Sequence, residues 1–332
     1  MNETIVAEKT ISLGLAQDII FNSVDIPSIP GNIRKIFDMT RLPESRVNIP
    51  ELAELVESDP GLFSRLLLLA NSPLYKAMTR ISTPKAAIVR IGIQETINSV
   101  CLHFLKKMLP QFPDFQGFSY TDYWSFSWAC AVANRRLGHP NLGLDVLPGD
   151  LYMAGILSGM GKLLLAIHVP HEFARCIETA RRLKCPLYQA EKEILGTTDG
   201  LVASQVLKGW HLPPAICEAV AYSQEPERAE PEYRLMAGLT QFADCIARLS
   251  GVGASGDDCP QDLSRTFLAQ KRQLPLAEPK IQAALVKEIC QSLEERMTMT
   301  PKSHTPVTSN TLSPRKGGLL SWILAFFAQL KK

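Results

Sequence analysis

Two short stretches of this chain have residue types and spacings that could support catalysis. The first holds His168 and His171, which flank Pro170 at a three-residue spacing that could direct two imidazoles to one metal if the segment were helical. Pro170 breaks that geometry, and the sequence ties no acidic or thiol partner to the pair. We therefore predict no metal at these histidines. His211, beside Trp210, is interpreted as a helix-end or packing residue.

The second stretch is 155–162, whose glycines and terminal lysine invite comparison with a phosphate-binding loop. The glycines are one residue too far apart, Leu163 stands where a hydroxyl would meet magnesium, and no strand precedes the stretch. A nucleophilic Ser158 would need a histidine and an orienting acid, which the sequence does not identify. We interpret Lys162 as a lysine at a helix turn with an electrostatic or capping role, and we predict no catalytic residue here.

The elements that would position these residues are predicted to be helices. Residues 155–165 combine small residues with an apolar end, which is typical of a buried helix, and Asp150 is the expected cap. Residues 61–71 are apolar nearly all round and are assigned to the interior, after a helix capped at Asn48.

Residues 250–258 are glycine-rich and expected to be loose. A final packed helix from about residue 279 is predicted by a four-residue apolar stripe, Ile281, Leu285, Ile289, Leu293 and Met297. No convincing run of alternating strand residues is present, so we predict an all-α fold.

Composition excludes several classes of protein. Apolar residues make up 46% of the 332 residues and charged residues 20%, as in ordinary globular proteins. The net charge of +2 gives no reason to expect nucleic acid or an acidic substrate. The eight cysteines include no Cys-x-x-Cys pair, and the first ten residues lack the pattern of a secretory signal. We therefore predict a cytoplasmic protein with reduced thiols.

Five short motifs, in order, carry a resemblance to a known family. They are Ile26-Pro27-Ser28-Ile29-Pro30, Asp59-Pro60, Leu69-Ala70-Asn71-Ser72, the aromatic Tyr75, and Ala87-Ile88 followed by Gly92. Each is weak alone, but their order and spacing together resemble the amino-terminal half of the HD-related output domain (HDOD) family. Residues 155–165 then resemble the "GLLHDIGKLLL" signature of HD-type metal-dependent phosphohydrolases and of HDOD proteins. The resemblance covers approximately residues 20–249.

The resemblance also implies where a metal site would lie. The family's ligand positions correspond, in chain order, to Phe126, Ser158, Gly159, Asp199, Ser223, Gln224 and Asp244. Ser158 and Gly159 replace the eponymous histidine and aspartate, and a hydroxyl and a hydrogen atom cannot act as metal ligands in their place. Asp244 alone keeps the family's ligand type, and two surviving acids, Asp199 and Asp244, would not build the usual cluster without imidazoles. We expect no metal, no cofactor and no hydrolysis, and we expect the former pocket to be small and apolar.

The predicted organisation has six segments. Residues 1–19 begin an amino-terminal helix, 20–114 form the first helical subdomain, and 115–250 form the second, HD-like subdomain. A helical extension at 251–298 follows, then a flexible linker at 299–318 and an amphipathic helix at 319–332. The expected architecture is two packed helical subdomains with a hinge near residues 111–117.

The carboxyl-terminal segment changes character after residue 318. On a helix, its apolar face would carry Leu319, Leu320, Trp322, Ile323, Phe326, Phe327 and Leu330, with lysines or arginine on both flanks. The twelve residues 319–330 would span about 18 Å as a helix, which is too short for the roughly 30 Å hydrocarbon core of a bilayer. We hold two hypotheses: the helix lies in the membrane interface at the inner face, or it packs into a groove of its own domain or a partner.

The resemblance implies a non-catalytic signalling or regulatory module that binds another protein, with a nucleotide as a possible ligand. The groove between the two subdomains, near the replaced ligand positions, is the predicted partner surface. One alternative is a degenerate metal-dependent phosphohydrolase acting on a phosphoester or cyclic dinucleotide. A second alternative is a membrane-associated adaptor that uses the terminal helix.

Overall fold

The computed structural model describes residues 29–72, 75, 79–109, 111–112, 114, 117–138, 144–259, 262–271, 280, 283–284, 286–291 and 293. The predicted amino-terminal helix start, the linker and the terminal amphipathic helix lie outside these residues. The helices of the described part, numbered here in chain order, are Gly31–Arg41 (α1), Ile49–Glu57 (α2), Pro60–Ala70 (α3), Pro84–Ile91 (α4), Ile93–Met108 (α5), Tyr120–Leu137 (α6), Pro148–Leu157 (α7), Met160–His168 (α8), Pro170–Leu183 (α9), Leu187–Leu195 (α10), Asp199–Gly209 (α11), Pro214–Ala221 (α12), Arg234–Ser250 (α13) and Phe267–Gln270 (α14). The described residues contain no β-sheet, and the predicted all-α fold is confirmed.

In the first half of the fold, α1 to α5, polar side chains cap the starts of α2, α3 and α4. The Asn48 side chain accepts a hydrogen bond from the backbone N–H of Glu51 and caps α2, as predicted. Asp59 caps α3 by accepting from the N–H groups of Gly61 and Leu62, both at 3.0 Å. The expectation that residues 61–71 are interior all round is wrong, because α3 buries one face only and Leu68 is 64% exposed.

The second half is built around α6, which packs along α7 on one side and α13 on the other. A Cβ on Gly155 would lie 2.7 Å from the Cα of Ala131, so the glycine allows α7 to approach α6 closely. The buried Asn134 amide donates to the carbonyl of Leu151 at 2.8 Å and to the hydroxyl of Thr240 at 3.0 Å. These two hydrogen bonds join α6, α7 and α13.

The predicted single helix over residues 155–165 is instead two helices, α7 and α8, with a break at Ser158 and Gly159. The Ser158 hydroxyl donates to the carbonyl of Gly155 at 2.9 Å, and Gly159 takes the position before α8. Asp150 is not the cap of α7, as we expected, but lies in its first turn. There it accepts from the Nε of Arg41 at 2.6 Å.

The two halves contact each other through α1 and α7. A Cβ on Gly149 would lie 1.9 Å from the carbonyl oxygen of Thr40, so only glycine fits at this crossing. The ion pair between Arg41 and Asp150 lies beside it. The same helix, α1, also packs on α5 and so belongs to the core of the first half.

Residues 250–258 are ordered by side-chain contacts, so the expectation of a loose segment is wrong. Ser255 and Asp257 are buried, and the N–H of Ala254 donates to the carbonyl of Asp122 at 3.2 Å. Gly253 and Gly256 have φ angles of +67° and +76°, which favour glycine, and they pack against α6 and Phe118. The segment therefore runs as a packed strap from α13 to the start of α6.

The last described residues form part of the predicted final helix. Ile289 and Leu293 are helical and buried, whereas the other three residues of the predicted stripe lie outside the described part. Arg136 of α6 forms an ion pair with Glu288, which places this helix against the second half.

One apolar span among the described residues is long enough to cross a membrane, Pro148–His168, and it comprises α7 and α8. Of its most apolar window, 83% is buried inside the fold. This span therefore forms part of the core.

Candidate functional site

The break between α7 and α8 brings four elements to one place in the second half. A Cβ on Gly161 would lie 1.8 Å from the carbonyl oxygen of Asp199, so α8 crosses the start of α11 at close range. Gly159 faces Tyr123 on α6, and a Cβ added to this glycine would lie 3.0 Å from the tyrosine ring. Glycine at these two positions allows the start of α8 to pack closely on α11 and on Tyr123 of α6.

Two buried carboxylates and one buried lysine lie at this junction. The N–H of Asp199 donates to Oε2 of Glu191 at 2.9 Å, and the Lys162 side chain is also buried in the core. Burial and the neighbouring Asp199 raise the pKa of Glu191, and Lys162 opposes that shift. Burial also raises the pKa of Asp199, again opposed by Lys162. Burial of two carboxyl groups in one region disfavours two full negative charges there.

A second buried charge group adjoins the first. Arg248 donates through Nε to Oδ2 of Asp244 at 2.7 Å and through Nη1 to the carbonyl of Asp257 at 2.9 Å. Nη1 also lies 3.1 Å from Oδ2 of Asp257. Although burial opposes it, the two carboxylates raise the pKa of Arg248. Burial raises the pKa of Asp257 and Arg248 lowers it, and the net result is a lowered pKa.

We name these six residues the buried charge cluster: Lys162, Glu191, Asp199, Asp244, Arg248 and Asp257. Asp199 and Asp244 influence each other electrostatically, which joins the two groups. The expectation of a small apolar pocket is therefore wrong, because the interior here is charged and Arg248 forms ion pairs with Asp244 and Asp257. Two cations and four carboxyl groups share one region of the core.

The remaining positions that correspond to the family's metal ligands are not part of the buried charge cluster. Phe126 and Ser223 are buried, at 4% and 5% exposure, and the Ser223 hydroxyl donates within its own turn to the carbonyl of Val220. Gln224 accepts through its backbone carbonyl from the side chain of Gln241 on α13. Asp199 and Asp244, at 7% exposure each, are brought together, whereas Ser158 and Gly159 form the helix break.

Sequence reasoning missed Glu191, Arg248 and Asp257. The spacing of Asp244 and Arg248, four residues apart on one helix, was a usable signal because such residues share a face. Glu191 and Asp257 come from a different helix and from the strap, so only the tertiary fold brings them in. Across the described residues, no three His, Cys, Asp or Glu side chains are grouped so that they could hold a metal ion.

His168, His171 and His211 are not part of the buried charge cluster. α8 ends at His168 and α9 begins at Pro170, so the proline does separate the two imidazoles. His168 is half-buried, and burial lowers its pKa, whereas His171 is exposed. His211 lies in the turn after α11.

A surface cavity of about 610 Å³ lies at the start of α4 in the first half. Among the described residues that line it are three cations, Arg80, Lys85 and Arg90, and no carboxylate. Arg90 donates to the carbonyl of Thr79 at 2.9 Å and so holds the wall of the cavity. Val89, also in the lining, is 74% exposed. We name this feature the basic cavity.

The fold and the buried charge cluster define an all-helical domain of two packed halves with an HD-like second half. The HDOD domain model matches residues 26–226 of the sequence. The chain belongs to the HDOD family. A comparison with curated proteins found no match.

Solved structures show the same fold. An HDOD domain protein of unknown function from Geobacter sulfurreducens is 23% identical, with a TM-score of 0.68 over 86% of this chain and 98% of its own. A candidate signal transduction protein from Marinobacter aquaeolei is 25% identical, with a TM-score of 0.66 over 82% of this chain and 58% of its own. A candidate phosphohydrolase from Shewanella amazonensis is 22% identical, with a TM-score of 0.56 over 84% of this chain and 92% of its own.

Proposed function

We propose that this chain is a non-catalytic HDOD signalling module that acts by binding another protein. The observation that carries the proposal is the buried ion pair of Asp244 with Arg248, at 2.7 Å. The carboxylate of Asp244 is thus already paired with a cation of the same chain, and the buried Lys162 acts electrostatically on Asp199.

Electrostatics then disfavours a catalytic metal at these positions. A divalent cation would have to displace Arg248 from Asp244 or lie close to the Lys162 ammonium, and like charges in a buried site repel strongly. The donor set also lacks imidazoles, since Phe126 and Ser158 correspond to histidine positions. The residues present therefore fit an internal ion-pair cluster and do not fit the family's metal centre.

Signalling is supported by family membership and by the relative from Marinobacter aquaeolei that is described as a candidate signal transduction protein. A module without chemistry of its own can transmit a signal only through binding. The family's ligand positions Phe126, Asp199, Ser223 and Asp244 are buried in this chain, so a partner would have to contact another surface of the fold.

The basic cavity is the partner surface that we propose. Three cations without a lining carboxylate among the described residues attract an acidic segment, and exposed Val89 supplies an apolar contact. The occupant would be an acidic segment of another protein. The last 36 residues of this chain contain five Lys and Arg and no Asp or Glu, so charge complementarity does not favour the chain's own carboxyl terminus.

The proposed absence of catalysis is tested on purified full-length protein. Metal content is measured by mass spectrometry, and hydrolysis is assayed with p-nitrophenyl phosphate and cyclic di-GMP in the presence of Mn²⁺ or Mg²⁺. We expect metal well below one ion per chain and no hydrolysis. Stoichiometric metal together with hydrolysis that disappears in Asp244→Ala would establish the phosphohydrolase alternative instead.

The proposed binding of a partner protein is tested by affinity capture from the source cells with quantitative mass spectrometry. The bait is the full chain, the double variant Arg80→Glu/Lys85→Glu, or the control Arg182→Glu, which reverses an exposed charge on α9. We expect one or more captured proteins to be lost with the double variant and retained with the control. Capture that is identical for all three baits would reject the basic cavity as the partner surface. A deletion of 319–332 in parallel reports whether the terminal segment contributes.

A further inference from the structure

Two of the eight cysteines differ from the rest in their exposure. All eight lie within the described residues and carry thiols. Cys101, Cys130, Cys176, Cys217, Cys245 and Cys290 are buried, whereas Cys185 and Cys259 are half-buried. Solvent, and therefore a small oxidant, can reach only these two without opening of the core.

The tertiary fold places Cys185 and Cys259 on facing segments. The strap residues Asp257, Asp258 and Cys259 lie against the corner between α9 and α10. The Cys259 thiol donates to the carbonyl of Lys184 at 3.9 Å, immediately before Cys185 in the chain. The N–H of Leu187, two residues after Cys185, donates to Asp257 at 3.2 Å. Contacts on both sides of Cys185 thus dock the strap next to this thiol.

Further interactions fix the register of the two segments. Arg181 donates to the carboxylate of Asp258 at 2.7 Å, and Lys184 takes a left-handed conformation with φ of 54°, which turns the chain at the end of α9. Burial and Asp257 raise the pKa of Cys259, Arg248 opposes this shift, and Cys185 contributes in the raising direction. The sequence separation of 74 positions gave no sign of this proximity.

We propose that Cys185 and Cys259 are a modification site that forms a reversible disulfide with a low-molecular-weight disulfide as oxidant. One thiolate attacks the small disulfide RSSR and releases RS⁻, and the second protein thiolate attacks the resulting mixed disulfide and releases a second RS⁻. The two protein thiols lose two electrons and two protons, and RSSR is reduced to two RSH.

The disulfide would fasten the strap to the corner between α9 and α10. The strap supplies Asp257 to Arg248, so oxidation would hold one carboxylate of the buried charge cluster in place. It would also close a long loop of the chain, which restricts the unfolded state and raises the melting temperature. Oxidised and reduced protein would thus differ in the rigidity of the second half.

The test uses the full chain equilibrated with mixtures of oxidised and reduced glutathione, followed by alkylation, trypsin digestion and mass spectrometry. We expect one cross-linked species joining the peptide 185–192 to the peptide 249–265, with the six buried cysteines alkylated only after denaturation. Oxidised wild type should melt several degrees above reduced wild type, and dithiothreitol should reverse the shift. Cys185→Ser and Cys259→Ser should each remove both the cross-link and the shift.

Wild-type protein alone can overturn the proposal, so it does not depend on how the variants fold. Separate glutathione adducts on Cys185 and Cys259 without a cross-link would show that the two sulfurs do not meet. Thiols that stay reduced throughout the glutathione series, or a cross-link to one of the other six cysteines, would also reject it.

Discussion

Two aspartates show how the environment of a single residue decides its charge. Asp59 accepts from Lys107 at 2.8 Å and from two N–H groups at the start of α3, and His103 lies 3.2 Å away. The hydrogen bond from Lys107 and the other donors hold the pKa of Asp59 far below its ordinary 3.8. Asp199 is also buried but lies beside Glu191, and burial raises its pKa. The sequence treats both residues as an aspartate at a helix start.

The depressed pKa of Asp59 gives a prediction for stability against pH. Because the folded-state pKa is below the unfolded value, the carboxylate stabilises the fold above pH 4, and this contribution is lost as pH falls below about 4. We expect Asp59→Asn, which keeps a capping side chain, to lower the free energy of unfolding at pH 6 and to approach wild type toward pH 2.5. Urea denaturation over this range measures the difference.

A matched variant separates the ion pair from the cap. Lys107→Met removes the cation and leaves the carboxylate and both N–H contacts in place, so it should show a smaller loss in the same direction at pH 6. A loss for Asp59→Asn that does not change between pH 6 and pH 2.5 would contradict the assigned direction of the pKa shift.

The buried charge cluster gives a prediction at Arg248. Arg248→Met would leave Asp244 and Asp257 in the core without their cation, and uncompensated buried charge costs about 3–5 kcal/mol. The control is Arg265→Met, which breaks the exposed ion pair with Asp262 and should cost less than about 1 kcal/mol. Denaturant titration of wild type and of both variants measures these losses in the free energy of unfolding. Similar small losses for both variants would mean that the cluster contributes little.

At the scale of elements, the break between α7 and α8 positions the cluster. Residues 155–165 have the pattern of one long apolar helix, and the sequence predicted that helix correctly as core. Ser158 and Gly159 interrupt it, and the second piece is thereby brought against the start of α11. Lys162 on α8 is buried in the same region, and its charge lowers the pKa values that burial raises at Glu191 and Asp199.

The crossing of α8 and α11 gives a prediction at Gly161. A Cβ there would meet the Asp199 carbonyl oxygen at 1.8 Å, and backbone must shift to relieve the contact. We expect Gly161→Ala to lower the free energy of unfolding by about 3 kcal/mol, at the upper end of the range for overpacked cores. Gly209→Ala is the control, since nothing lies within 4 Å of its added Cβ. It should be neutral or stabilising by up to about 1 kcal/mol. Equal effects would mean that the crossing tolerates a methyl group.

At the scale of the whole molecule, the two halves are joined where α1 meets α7. The contact combines a glycine crossing at Gly149 with the ion pair between Arg41 and Asp150. α1 also packs on α5, so a change at the crossing reaches the core of the first half. α5 also contacts α7 directly, since the Tyr152 hydroxyl donates to the carbonyl of Asn98 at 3.2 Å.

A substitution at this junction tests the connection. Gly149→Ala would place a methyl group 1.9 Å from the Thr40 carbonyl and force α1 away from α7. We expect a lower melting temperature and faster amide exchange in α1 and α7, with α11 and α12 nearly unchanged. Hydrogen exchange with mass spectrometry resolves these helices. Faster exchange that is uniform over the chain would show that the halves are not separable units.

The sequence allowed the helical class, most helix positions and the family to be predicted, because caps, prolines and apolar periodicity are local signals. The cap at Asn48 and the buried character of residues 155–165 are examples. The strap at 250–258 was misjudged as loose, because a glycine-rich composition does not show that Asp257 has a buried partner. The charged interior was missed for the same reason, since Glu191 and Asp257 are far in sequence from Lys162 and Arg248.

The sequence by itself determined that the chain is helical, that it has HDOD motifs in order, and which residue types stand at the family's ligand positions. Only the tertiary structure decided that Asp199 is buried with Glu191, that Arg248 pairs with both Asp244 and Asp257, and that Cys185 faces the segment of Cys259. The physical reason is that periodicity and capping act over a few residues along the chain. Electrostatic pairing and thiol proximity depend on distances through space, which the fold alone fixes.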